Sequence, residues 1–213
     1  MIKRKRIHEK HLVNLIANSK AQTLTEFCDA EFINCYAAAR LLTYQDKHHQ
    51  YYTPGMLYNL AFGSGNFLRS ETSPSFIDEC VRRDNLALNQ PCTRVNFEDI
   101  DPNDGFHYFG ITKFHLCPSK ITEPSFNSLL KNVNDVKMMK SNWHFIFRLS
   151  TGNWLHKPNW EYPLEPIQWT DYGKRFFFDT QDPTFGIIVP AEVECFPNYF
   201  YRIDKDWSLS IDI

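Results

Sequence analysis

Glycine is scarce, at 8 of 213 residues, and charged residues make up an ordinary 23%. That balance excludes wholesale disorder. An excess of one charge sign is also lacking. The net charge of −2 gives no global signal for nucleic acid or anionic membranes. The exception is local: Lys3, Arg4, Lys5, Arg6 and Lys10 cluster near the N-terminus. They read as a solvated terminus, with contact to an acidic partner or part of an export signal as the functional alternatives. The six cysteines, at 28, 35, 80, 92, 117 and 195, form no CxxC pair. Zinc-ribbon spacing is therefore absent, and the density is below that of a disulfide scaffold. A reduced chain is expected, with most cysteines acting as small buried hydrophobes. No apolar run approaches the roughly 20 residues that a membrane span needs. The stretch from Leu12 to Asn18 is broken by polar residues and lacks the apolar core of a signal peptide. The expected location is the cytoplasm, or outside the cell (a host cell included) by a route without a cleaved signal peptide.

What is present is apolar and aromatic. Apolar residues make up 43% of the chain, and aromatics 15%, with 18 Phe and 10 Tyr. This suits one domain over residues 1–213, with 1–24 as a helical extension. Helical spacing covers 9–19, and Thr25-Glu26 marks a second start. Residues 32–42 read as a helix, with Asn34 as its cap and three alanines behind it. Ser73-Pro74 opens another, running to about Leu88. Residues 43–71 and 89–105 read as irregular, and 125–136 as a short helix. Strand composition then dominates, at 108–117, 142–149, 154–158, 166–170, 174–179, 185–189 and 199–203. Helices first and strands afterwards define an α+β arrangement.

One cysteine stands out by placement. Cys35 directly follows the cap Asn34, in the first turn of the predicted helix. Unpaired N–H groups there favour a thiolate and can hold an oxyanion, with the Cys35 backbone and Asn34 as candidate donors. The bland alternative is a structural cysteine on an apolar helix.

A base is needed to take the thiol proton. His144 lies on a predicted strand, with Ile146 and Arg148 on its face and Phe145, Phe147 and Leu149 on the other. The second set reads as core, which leaves His144 facing whatever covers the first, with the Cys35 helix as candidate. A third group should orient the imidazole. If Ser150-Thr151-Gly152 is a three-residue loop, His156 falls on the His144 face, opposite Ile146. If Thr151-Gly152 is a two-residue turn, Asn159 faces His144 and His156 points away. The glycine position favours His156. The same residues, Cys35, His144 and His156, could instead hold zinc, but no ligand motif supports that. No metal or cofactor is expected.

Taken together, Asn34-Cys35-Tyr36-Ala37, Pro54-Gly55, Trp143-His144-Phe145 with Arg148, and Gly152-Asn153-Trp154-Leu155-His156-Lys157-Pro158 resemble a known pattern. It is that of bacterial papain-like cysteine hydrolases, including the NlpC-type cell-wall peptidases and papain-fold proteases injected by pathogens. The resemblance runs from about Asn34 to Pro190, although 56–140 carry little of it. It implies a helix-borne nucleophile packed on an antiparallel sheet, and peptide or amide chemistry without a cofactor. It favours His156 as the third residue, with Asp171 as a further candidate because injected relatives tend to use Asp. Ala38-Ala39 and Asn159 depart from the pattern.

The expected function is thus a cysteine peptidase or amidase acting on a protein or peptide substrate. Deamidation and acyl transfer use the same machinery. The rival is a non-catalytic peptide- or glycan-binding module built on Trp143, Trp154, Trp160 and Trp169. Nucleic-acid binding has little support, because no basic stripe accompanies the aromatics.

Overall fold

The computed structural model describes residues 34–42, 53–58, 73–88, 90, 92–116, 142–150, 152–158, 163–181 and 188–203. The predicted helices at 9–19, from Thr25 and at 125–136 lie outside them, as do Asn159 and Trp160. Helix α1 is Cys35–Ala39 and α2 is Pro74–Leu88; the strands are β1 (Cys92–Val95), β2 (His107–Leu116), β3 (Asn142–Arg148), β4 (Trp154–His156), β5 (Glu165–Pro166), β6 (Trp169–Asp171), β7 (Arg175–Gln181) and β8 (Ile188–Ile203). The class is α+β.

The strands form an antiparallel sheet in the order β5-β4-β3-β2-β8-β7-β6, with β1 added beside β8. β5 and β6 end this order yet follow each other in the chain. The sheet is therefore curled, and the Ile167 N–H donates to the Trp154 carbonyl at 3.0 Å near the join. Period-two alternation then sorts side chains to an inner and an outer face. Ile146, Trp154, Phe176, Phe178, Val193 and Phe200 fill the inside. Phe109, Phe145, Phe147 and Tyr201 face outwards, where α1 and α2 cover them with Tyr36, Ile77 and Val81.

β8 reads as two strands in the sequence but is one. Its pairing with β2 shifts register between Gly110 and Thr112, so Cys195 and Phe200, an odd number apart, both point inwards. Such a bulge inverts the alternation locally. Gly110 is needed at this step: a Cβ there would lie 2.4 Å from the Phe200 ring.

Helix α1 is shorter than its alanines suggest. Leu41 N–H bonds the Ala38 carbonyl and Leu42 N–H the Ala37 carbonyl, at 3.0 and 2.9 Å. That is the two-bond closure of a Schellman motif. Leu41 occupies its left-handed position at φ 55, where glycine is usual. Burial of Leu41 and Leu42, both almost fully enclosed, outweighs a backbone cost of about 1–2 kcal/mol.

Candidate active site

The first turn of α1 is built as expected: the Asn34 side-chain oxygen accepts from the Ala37 N–H at 2.8 Å, with Asn34 itself extended. Cys35 is half-buried in the first turn and packs with the outer core. Burial pushes its thiol up to about 12, while the N–H groups of Phe145, Tyr36 and Cys35 itself pull the other way. The expectation of a lowered thiol pKa is therefore corrected: α1 has five residues, and desolvation outweighs its N–H groups. Among the described residues, cysteines 80, 92 and 195 form no disulfide.

The hairpin takes the three-residue loop. Ile146 pairs with His156 and Arg148 with Trp154; Gly152 has φ 95 and donates its N–H to the Leu149 carbonyl at 2.9 Å. His144 and His156 consequently share the inner face and meet, Nε2 to Nδ1, at 3.3 Å. Both are almost fully buried. His144 stacks on Phe178 with ring centroids 5.3 Å apart, and His156 meets Phe176 and Phe178 edge-on. Burial holds His144 well below its ordinary value, helped by His156, and lowers His156 to about 4. Both imidazoles are neutral at pH 7.

Helix α1 does not cover the His144 face, as the strand pattern suggested. It lies on the Phe145 side, where Tyr36 and Phe145 rings sit 4.9 Å apart. The inner face is closed instead by β7 curling over it. Cys35 packs in the outer cluster with Tyr36 and Phe145, whereas the His144 ring meets Phe114, Phe178 and His156. These sets share no member. They adjoin at the His144–Phe145 peptide, near which the β4 ladder has already stopped at Ile146. The Phe145 N–H, on the strand that carries the imidazole, is one of the groups that pull the thiol pKa down against burial.

Asp171 is exposed at the end of β6, 3.9 Å from Lys174, and no ion pair joins it to either imidazole among the described residues. No three metal-ligating side chains converge among the described residues. No helix among them is long and apolar enough to cross a membrane. The described tryptophans do not form one surface: Trp143 packs on Tyr36 outside the sheet, whereas Trp154 and Trp169 meet each other 6.3 Å apart on the opposite side.

Sequence reasoning missed Asp84. This buried α2 carboxylate accepts from Tyr36 Oη at 2.6 Å, from the Gly55 N–H at 2.6 Å and from the Tyr58 N–H at 2.8 Å. It ties the residue after Cys35 and the Pro54-Gly55 turn to one point. Gly55 sits at φ 84, a conformation glycine adopts without strain. Burial raises the Asp84 carboxyl to about 6, against the pull of these donors and of Arg40. Arg40 is fully buried over the Tyr36 and Phe109 rings, and its guanidinium nitrogens make no hydrogen bond among the described residues. An Asp in a mid-helix position carries no sequence mark of such a role.

No family model matches the chain, and neither a curated protein nor a solved structure matches it.

Proposed function

We propose that this protein is a papain-like cysteine hydrolase acting on a peptide or amide bond of a protein substrate. The observation that carries the reading is the placement of Cys35 directly after the Asn34 cap, in the first turn of a helix packed on β3, the strand that bears one of two paired imidazoles. In this reading Cys35 attacks the carbonyl while its proton passes to His144, which later protonates the leaving amine. His156 orients His144. The Asn34 side-chain oxygen accepts in the cap, so the oxyanion donors of this reading are the Cys35 N–H and the Asn34 side-chain NH2.

The resting thiol and imidazole are both neutral, so the proton moves during attack rather than before it. Cys35 and the His144 ring lie on opposite sides of β3, so the reading requires β3 to rearrange when substrate binds. Comparing the proteins of cells that make the native chain with those of cells that make Cys35→Ala tests the reaction. A new terminus, or a mass shift on one protein, confined to the native chain supports the proposal. Identical profiles oppose it.

A second reading has its own observation. A cleft of about 450 Å³ is lined by Phe97, Trp154, Tyr172, Arg148 and Lys174, a size and lining suited to ligand binding. A peptide- or glycan-binding module would need this cleft and not Cys35. Retention of a ligand by Cys35→Ala and its loss in Tyr172→Ala would favour that reading.

A further inference from the structure

The two imidazoles form part of a longer chain of groups. His156 pairs across the sheet with Glu165. The His156 Nε2 lies 3.9 Å from the Glu165 Oε2, and the His156 Nδ1 lies 3.3 Å from the His144 Nε2. A carboxylate, an imidazole and a second imidazole thus follow one another from the sheet edge inwards. Glu165 is half-exposed, whereas both rings are buried among phenylalanines.

Neutral imidazole carries one ring proton, and a partner on one nitrogen decides the state of the other. A carboxylate accepts only. At 3.9 Å the Glu165 carboxylate is too far for a direct hydrogen bond, but its negative charge favours the His156 proton on Nε2, which leaves Nδ1 bare. A bare Nδ1 accepts, so the His144 proton belongs on Nε2. The His144 Nδ1 is then the free lone pair. The opposite order would aim a bare His156 Nε2 at a carboxylate, lone pair against lone pair. Burial, and then the Asp179 carboxylate, raise the Glu165 carboxyl above its ordinary value, which strengthens it as an acceptor.

We infer that Glu165 is a positioning residue that biases His156 and His144 towards their Nε2–H tautomers and leaves the His144 Nδ1 bare. This rests on the hydrolase reading for its purpose, but not for its geometry.

Nitrogen NMR of the ring atoms in the intact protein reads the tautomers directly. The expected pattern is protonated Nε2 and bare Nδ1 on both His144 and His156. Glu165→Gln, which keeps an accepting oxygen, should preserve it; Glu165→Ala should mix the two tautomers on both rings. A native chain with Nδ1–H on His144, or a folded Glu165→Ala chain with unchanged tautomers, would overturn the inference. The native spectrum decides even if the alanine variant does not fold. If the tautomers are as stated and Cys35→Ala leaves the cell's proteins unaltered, the hydrolase reading fails and the tautomer assignment stands.

Discussion

Replacing Asp84 by asparagine separates two effects that oppose each other at one buried carboxylate. Desolvation disfavours the charge, while three donors, from Tyr36, Gly55 and Tyr58, favour it. Desolvation wins, and the carboxyl moves from 3.8 to about 6. The folded chain then holds this proton more tightly than the unfolded chain between those values. Stability from this group is therefore greatest below the unfolded pKa, falls as pH rises towards the folded one, and is level above it. The span is worth roughly 3 kcal/mol. Urea unfolding of the native chain and of Asp84→Asn across this range gives the native advantage at each pH. It should fall by roughly 2.5 kcal/mol as pH rises from about 4 to about 7. The constant offset between the chains does not matter; the slope does. An advantage that grows with pH would mean that the donors outweigh burial, and the reasoning would be refuted.

Other outcomes follow from the same geometry. His156, lowered from 6.5 to about 4, has the opposite sign: its contribution is complete above the unfolded pKa and is lost as pH falls towards the folded one. Stability of the native chain relative to His156→Gln should drop by roughly 3 kcal/mol on acidification across that window, as measured by urea titration. Gly110→Ala places a methyl 2.4 Å from the Phe200 ring; it should cost about 1–3 kcal/mol in chemical unfolding, largely recovered by a second change, Phe200→Leu. Tyr36→Phe removes one donor from Asp84 and should cost about 1.5–3 kcal/mol in the same assay. With the Cys35 thiol raised to about 12, iodoacetamide should label it slowly at neutral pH and readily once urea unfolds the chain, as peptide mass spectrometry would show.

Much of the architecture was legible because it is written locally. Ser73-Pro74 marks the start of α2, and Gly152 selects the hairpin loop that puts His156 beside His144. Alternation along β3 separates His144 and Ile146 from Phe145 and Phe147, as the two cores do. What alternation cannot say is which face receives which neighbour. The strand pattern left the His144 side for α1, but the curl of the sheet lets β7 fill it and sends α1 to the Phe145 side. The end of α1 was hidden for a related reason: Leu41 adopts a glycine-like conformation to bury itself, and nothing in the local sequence announces it. β1, short and with its middle residues exposed, depends on β8 for its existence. Asp84 joins residues 48 and 29 positions away, a distance at which a lone carboxylate gives no sign. The thiol's pKa depended on burial, which no spacing reports.

The most direct test is covalent labelling of Cys35 by a peptide carrying an electrophilic carbonyl mimic, followed by mass spectrometry in the native chain and in His144→Ala. General-base assistance is worth about 10²–10⁴ in rate, so labelling should concentrate on Cys35 and slow at least about 10²-fold in His144→Ala with the fold intact. Labelling at the same rate in both chains, or spread over the other cysteines, would contradict a thiol activated by that imidazole.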